Sequence, residues 1–276
     1  MKIREPAVQG TFYPLERQVL YKMVENFINN SPVKFENGKI YGILCPHAGY
    51  VFSGSTAGVS YASLKGKNYK RAVILAPTHY YPFKGIALSE VDAWLTPLSK
   101  LFIDKDFNNL ILKNIKFAVA NESYHSLEHS VEVQLPFLKY LFNDIKIVPI
   151  VIGEVIWEDI DEFAHFLSEN LDENDLLVSS SDLYHGYSIE ECDLKSEATL
   201  AGFEKDNARD FYYSFKQGIY EACGYVPMAI LVRYAEYKSL NRRVLWYTNS
   251  HRERSEESFG YVVGYGSAIV YKEEKD

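Results

Sequence analysis

Two histidines occur at the same kind of position, just after a short apolar run and close behind a proline. His47 follows Ile40–Cys45, and His79 follows Ala72–Ala76. In open α/β sheets, ligands bind outside the carboxyl ends of the strands, which is where we expect both imidazoles. Neutral imidazole is the commonest metal ligand in proteins, and two imidazoles from adjacent strands can reach one ion. The repeated placement predicts a metal site, whereas either histidine alone would more often cap a helix or bond to a backbone group.

A third strand-like run, Leu176–Ser180, is followed by an aspartate and a histidine three residues apart. These are Asp182 and His185, which are close enough along the chain to serve one site. A histidine near a metal can act as a general base, or orient a substrate, without binding the ion. We therefore expect His185 to be the acid–base group and Asp182 to orient it. The alternative is that the serine and aspartate side chains only cap the next segment.

A polar segment in the middle of the chain carries two further histidines. His125 and His129 are four residues apart, but the residues between them do not follow the H-E-x-x-H order of zinc proteases. Glu128, Glu132 and Gln134 in the same segment are costly to bury unless they are paired. We expect this segment to support the metal ligands or to line the pocket wall rather than to bind the metal directly.

A cysteine precedes the last predicted helix. Cys223 and Gly224 open the helical pattern that begins near Val226. A thiolate at a helix N-terminus is stabilised by the helix dipole, and it could be a soft metal ligand or a nucleophile. A single cysteine with this placement is otherwise more often a small buried apolar residue, which is also what we expect of Cys45.

The composition argues against several classes of protein. The net charge of −8 does not favour non-specific binding to a nucleic-acid backbone. No apolar run approaches the roughly 18 residues needed to span a bilayer, so no membrane association is expected. Three scattered cysteines predict a reducing, cytoplasmic setting. The nucleophile elbow G-x-S-x-G, the phosphate-binding P-loop and the Rossmann G-x-G-x-x-G are all missing from the sequence.

The elements that must position these residues alternate along nearly the whole chain. The predicted strands are Ile40–Cys45, Ala72–Ala76, Ile145–Ile152, Leu176–Ser180, Arg243–Thr248 and Tyr261–Tyr271. The predicted helices lie around Leu15–Phe27, Ser53–Leu64, Lys105–Lys113, Val131–Phe142, Ile160–Leu167, Lys195–Gln217 and Val226–Tyr237. This alternation favours a mixed sheet covered by helices on both faces, with the last two strands as an antiparallel pair. No linker-like segment interrupts the pattern, so we predict a single domain, residues 1–276.

Six motifs in this order resemble the Memo family, known in prokaryotes as AmmeMemoRadiSam system protein B. The resemblance covers nearly the whole chain, and the ordered set is specific although each motif is short. The motifs are Gly10–Pro14, Pro46–Gly54, Pro77–His79, Glu128–Phe137, Ser180–Asp182 with His185, and Cys223–Gly224.

The Memo family is related in structure to class III non-haem-iron extradiol dioxygenases, which open catechol rings. The resemblance implies a three-layer α/β/α sandwich with a central mixed, mainly parallel sheet and one pocket at the strand ends. It implies that His47 and His79 match the metal-binding histidines, with Cys223 as the third protein ligand. It also implies that His185 and Asp182 lie nearby. The dioxygenases have a carboxylate in place of this cysteine, and a thiolate makes a softer, more oxidisable site that suits copper or iron.

The leading hypothesis is a metal-binding protein with redox or oxygen chemistry, since the Memo family is linked to metal binding and copper-dependent redox activity. His47, His79 and Cys223 would bind iron or copper. The expected ligand is a small molecule or a peptide in the strand-end pocket. The resemblance implies no settled reaction, so whether the protein is an enzyme stays open, and the sequence makes no prediction of the oligomeric state.

Two alternatives come from other classes of protein. One is a non-catalytic module that retains a dioxygenase-like pocket and binds a peptide or a partner protein through aromatic side chains, such as Tyr50, Tyr80 and Tyr184. The other is a hydrolase with Cys223 as the nucleophile and His185 as the base.

Overall fold

Strands and helices alternate along the chain as predicted. The structure, a computed structural model, describes residues 1–35, 38–253 and 260–273. The strands are β1 (Ile3–Arg4), β2 (Lys39–Cys45), β3 (Arg71–Pro77), β4 (Ile86–Leu88), β5 (Ala93–Leu95), β6 (Lys100–Phe102), β7 (Ala118–Ala120), β8 (Lys146–Ile152), β9 (Asp175–Ser180), β10 (His185–Gly186), β11 (Asn241–Asn249) and β12 (Val262–Lys272). The helices are α1 (Arg17–Asn29), α2 (Tyr50–Ala62), α3 (Lys105–Asn114), α4 (Leu135–Leu141), α5 (Trp157–Asn170), α6 (Ile189–Lys205), α7 (Ala208–Lys216), α8 (Tyr225–Tyr237) and α9 (Ser250–Glu253). Short 3₁₀ turns lie at Glu122–Tyr124 and Glu132–Gln134.

The described strands form one large mixed sheet and a small sheet of β1, β5 and β6. The order in the large sheet is β10-β12-β2-β9-β3-β8-β4-β7, and β11 also pairs with β12. The four strands β2, β9, β3 and β8 are adjacent and parallel. The last two strands, β11 and β12, form the predicted antiparallel pair. The predicted fold class, a mixed sheet flanked by helices, is confirmed, although parallel pairing among the described strands of the large sheet is confined to the four central strands and to β4 with β7.

Both faces of the parallel strands are buried. In β3, Val73 and Leu75 belong to the core on the side of α5 and α8, whereas Ala72, Ile74 and Ala76 belong to the core beneath α1, α2 and α4. Because neighbouring side chains of a strand point to opposite faces, a strand that is covered on both faces must be apolar at every position. This explains why these strands could be recognised as unbroken apolar runs.

Some predicted elements differ from the structure. The predicted helix Lys195–Gln217 is two helices, because the side chain of Asn207 caps the start of α7 by accepting a hydrogen bond from the backbone of Asp210. The predicted helix Val131–Phe142 starts as a 3₁₀ turn and is α-helical only from Leu135. The short strands β1, β4 to β7 and β10 have only two or three residues each, too few to show a period. In the described ranges, no helix has the length and apolar character needed to cross a bilayer.

Candidate metal centre

Three neighbouring strands end beside one another and carry the predicted site residues. His47 is the second residue after β2, Asp182 the second after β9, and His79 the second after β3. Because β2, β9 and β3 are adjacent and parallel, the loops that follow them meet at one edge of the sheet. The rings of His47 and His79 have centroids 5.1 Å apart and lie nearly perpendicular to each other. The structure therefore brings the two strand-end histidines together.

Cys223 approaches the same point from the start of α8. One ligand atom each from His47, His79 and Cys223 lies within 4.8 Å of the other two. The Cys223 sulfur is 3.1 Å from Nε2 of His47. The next residue, Gly224, lets the helix start come this close, since a Cβ there would lie only 2.5 Å from the Ser180 carbonyl oxygen. The three atoms form a compact donor set of two nitrogens and one sulfur.

Burial sets the protonation of His47 and Cys223. Burial lowers the pKa of His47 well below the ordinary value, and the neighbouring imidazoles, first His79, lower it further. Burial, followed by the charge of Asp182, raises the pKa of the Cys223 thiol. The His47 ring is therefore neutral at pH 7, which is the form that binds metals, whereas Cys223 is a thiol that must lose its proton to become a ligand.

A chain of buried hydrogen bonds holds the His47 ring. Its Nδ1 is 2.9 Å from Oγ of Ser180. The Ser180 hydroxyl donates to the Ser130 carbonyl at 2.6 Å and accepts from Nε2 of Gln134 at 3.0 Å. The Gln134 amide oxygen accepts in turn from the Tyr61 hydroxyl at 3.0 Å. The ring of His47 is thus fixed from the side that does not face Cys223.

Glu128 holds His79 in a similar way. Its carboxylate lies 2.9 Å from Nδ1 of His79 and accepts the backbone N–H of His79 at 2.7 Å. It also accepts the backbone N–H and the hydroxyl of Ser130. Burial alone would raise the pKa of Glu128, but the hydrogen bond and charge of His79 and the Ser130 N–H lower it to about 2. Although Glu128, His79 and His129 also have ligand atoms within 4.8 Å of one another, these hydrogen bonds already occupy the carboxylate. We interpret Glu128 as an orienting residue.

The two histidines of the polar segment have different positions. His129 lies beside the centre, with its ring 4.6 Å from that of His79 and 4.7 Å from that of Phe12. Burial lowers the pKa of His129 to about 4, so its ring is neutral at pH 7. His125 is instead buried against the Trp94 ring, 5.6 Å away, and the structure does not bring it into the centre. Glu128 and His129 of this segment therefore lie against His79.

Asp182 and His185 make different contacts from those expected. The Asp182 carboxylate accepts the backbone N–H of His47 at 2.7 Å, and burial raises its pKa. Nδ1 of His185 bonds to the Leu183 carbonyl at 2.8 Å, and its backbone N–H bonds to Glu221. Within the described residues no hydrogen bond joins Asp182 to His185, although they are close enough to interact electrostatically. The contacts of Asp182 orient the His47 loop instead.

The three tyrosines proposed as ligand contacts are not equally available. Tyr50 is buried and donates its hydroxyl to the Val133 carbonyl. Tyr184 is buried and donates to Glu191. Tyr80 is 46% exposed and lies edge-on to the ring of His129, with centroids 6.0 Å apart. Of the three, Tyr80 is the one placed to touch a ligand from solvent.

A buried ion pair behind the centre was not predicted. Glu132 is fully buried and accepts four hydrogen bonds from the N-terminal segment: from Arg4 at 2.7 Å, the backbones of Ala7 and Val8 at 2.8 and 3.0 Å, and the Tyr13 hydroxyl at 2.7 Å. Arg4 also donates to the carbonyls of His125 and Glu128. These contacts attach the N-terminal segment to the loop that carries Glu128. No local pattern could have linked residues so far apart in the sequence.

Comparisons with known proteins point to one family. A family model described as Memo-like protein matches residues 4–269. A MEMO1 family protein of Aquifex aeolicus is 37% identical over 253 residues, which are 91% of this chain and 93% of that protein. MEMO1 family proteins of Thermoplasma volcanium and Nitrosopumilus maritimus are 30% and 31% identical, over 98% and 96% of this chain and 99% and 98% of their own length.

The fold also has a similar solved structure. The crystal structure of an uncharacterized protein from Escherichia coli K12 superposes with a TM-score of 0.52 and 11% identity. The match covers 83% of this chain and 99% of that chain. At this identity, the likeness concerns the fold alone.

Proposed function

The chain belongs to the Memo-like family, and on that premise we propose that it is a metal-binding protein with redox or oxygen chemistry. In this proposal, His47, His79 and Cys223 hold iron or copper. The observation that carries the proposal is the convergence of their three ligand atoms within 4.8 Å at the strand ends.

The chemistry of the donor set fits such a metal. Two imidazoles and one thiolate are borderline-to-soft ligands, which favour iron and copper over hard cations such as magnesium. When bound, the metal would supply Lewis acidity and one-electron chemistry. The protein's contribution is a buried His47 ring that is neutral and needs no deprotonation before it binds.

His185 is the proposed acid–base group. A carbonyl oxygen only accepts hydrogen bonds, so Nδ1 of His185 must donate to the Leu183 carbonyl, 2.8 Å away. In the neutral ring, Nε2 then has the lone pair and can take a proton from a bound ligand. Asp182 would act one step away, by holding the backbone of His47 in place.

The test is the metal content of the purified protein. We expect iron or copper in the wild type and a large loss in the double variant His47→Ala, His79→Ala. A matched control is His165→Ala, since that imidazole is half exposed on α5, away from the centre. Equal metal content in the double variant and the wild type would contradict the proposal. Replacing Cys223 by serine, with Cys192→Ser as its control, tests the third ligand separately.

A non-catalytic binding module is the second candidate, and the exposure of Tyr80 beside His129 supports it. The ligand would be a peptide or a small molecule that stacks on this ring at the mouth of the site. Partner binding that survives replacement of both His47 and His79 but is lost in Tyr80→Ala would favour this candidate. Binding that depends on the two histidines would favour the metal site.

The hydrolase hypothesis has less support. The imidazole in contact with the Cys223 sulfur is His47, not the expected base His185, and burial raises the pKa of the thiol. A thiol-reactive probe should therefore label Cys223 no faster than Cys192. We also keep a cytoplasmic location as part of the proposal, because all three cysteines are free thiols, as is usual in a reducing compartment.

A further inference from the structure

The hydrogen bonds behind the two metal-binding histidines fix more than the direction of their rings. We infer that Glu128, acting on His79, and Ser180 with Gln134, acting on His47, are positioning residues that hold both imidazoles in the Nδ1–H tautomer before any metal binds. Nε2 is then the unprotonated nitrogen of each ring. The inference rests on the proposed function, because the role of this tautomer is to direct the lone pair of each Nε2 towards one metal ion.

The tautomer of His47 follows from counting donors and acceptors. Nε2 of Gln134 lies 2.9 Å from the Pro46 carbonyl, which can only accept, so this atom is the amide nitrogen and donates to Ser180 as well. The Ser180 hydroxyl has one proton and directs it to the Ser130 carbonyl at 2.6 Å. Oγ of Ser180 can therefore only accept from the ring. Nδ1 of His47 must carry the proton that bridges the 2.9 Å between these atoms.

The tautomer of His79 follows from a carboxylate. An ionised carboxylate has acceptors only, so Nδ1 of His79 must donate to Glu128 across 2.9 Å. The backbone N–H of the same residue donates to the other carboxylate oxygen at 2.7 Å. His79 is thus attached to Glu128 at two points, and its ring cannot flip without breaking the hydrogen bond between Nδ1 and the Glu128 carboxylate.

Both sets of contacts originate in one short segment. Glu128, Ser130 and Gln134 are all 1% exposed or less and lie within seven residues of one another. In water, a free histidine side chain favours the opposite tautomer, with its proton on Nε2. The protein must therefore provide an acceptor at each Nδ1, and this segment supplies one directly and supports the other through Ser180. Residues of this kind typically change metal affinity 10- to 100-fold when they are replaced.

The direct test is nitrogen-15 NMR of the histidine rings in metal-free protein, at about pH 8.5, well above the pKa of an unperturbed histidine. We expect the Nδ1–H tautomer for His47 and His79 in the wild type. In Ser180→Ala, the signal of His47 should shift towards the Nε2–H tautomer while that of His79 stays unchanged. Glu128→Gln should affect His79 alone. Ser267→Ala is the matched control, because this serine is equally buried and bonds to Ser60 instead.

The second measurement is the dissociation constant for ferrous iron. Ser180→Ala should bind about 10- to 100-fold more weakly than the wild type, whereas Ser267→Ala should not differ from it. An Nε2–H tautomer at either ring of the wild type, or an unchanged His47 tautomer in Ser180→Ala, would overturn the inference. If Ser180→Ala fails to fold, the wild-type spectrum and the His79 signal of Glu128→Gln still test the inference. If the wild type binds no metal but shows both expected tautomers, the proposed function fails while the assignment of positioning residues stands.

Discussion

Replacing Glu132 by alanine should destabilise the protein strongly although no proposed ligand is touched. The Arg4 guanidinium, which is only 4% exposed in the wild type, then loses its carboxylate partner. Breaking a buried ion pair from one side typically costs about 3–5 kcal/mol, because the remaining charge stays buried. The Ala7 and Val8 N–H groups and the Tyr13 hydroxyl lose their acceptor as well, and each costs about 1–3 kcal/mol if water cannot replace it. Even where water replaces the acceptor for these three groups, we expect a loss of at least about 3–5 kcal/mol in the free energy of unfolding.

Urea unfolding of a double-mutant cycle measures this loss. The cycle compares the wild type, Glu132→Ala, Arg4→Met and the double variant through their unfolding midpoints. The double variant should be more stable than the sum of the single losses predicts, because it leaves no unpaired charge in the interior. Lys70→Ala is the control, since its ion pair with Asp172 is half exposed and should contribute at most about 1 kcal/mol. A loss below about 1 kcal/mol in Glu132→Ala, or additive effects in the cycle, would refute this reasoning.

Three further predictions follow from the centre and its surroundings. Because burial raises the pKa of Cys223, metal binding at pH 7 should release about one proton, which calorimetry in buffers of different ionisation enthalpy detects; metal binding without proton release would contradict this. Burial, and then the charge of Arg4, lowers the pKa of His125 to about 3 in the folded protein. Between about pH 6.5 and that value, the unfolded chain therefore binds a proton at His125 that the folded protein does not bind. Stability should drop by up to about 1.4 kcal/mol per pH unit in that range on account of His125 alone, and His125→Phe should show a shallower slope in acid unfolding. Gly224→Ala should weaken metal binding and cost about 1–3 kcal/mol of folding stability, since the new Cβ would lie 2.5 Å from the Ser180 carbonyl oxygen. The control Gly49→Ala should cost less, because the atom nearest to its new Cβ is 3.6 Å away. Equal losses in the two variants would count against the crowding argument.

The parts of the site that could be predicted are those with a local signal. A buried parallel strand is an unbroken apolar run, and the residue that follows it lies at the carboxyl edge of the sheet. His47, His79 and Asp182 were found in this way, since each is the second residue after its strand. The proximity of Cys223 came from the family resemblance, because a cysteine before a helix is by itself no sign of a site.

The partners of these residues could not be predicted, because they depend on contacts between distant parts of the chain. Arg4 and Glu132 are 128 positions apart, and neither lies in a periodic pattern that would mark it as buried. The expected pairing of Asp182 with His185 relied on their closeness in sequence. In the fold, β10 begins at His185 and pairs with β12. The Asp182 carboxylate accepts the backbone N–H of His47 instead.

The position of β12 also bears on when the centre can form. Ala268 to Lys272 pair with Lys39 to Leu44, so the strand that precedes His47 gains one of its two neighbours only from the far end of the described chain. On the ribosome, β2 emerges long before β12 is made, and until then one of its edges is open to wrong partners. The loop that carries His47 therefore lacks this support until β12 has been made. If the proposed centre binds metal, loading should follow the synthesis of β12, and deleting β12 should disable the centre without removing any of the three proposed ligands.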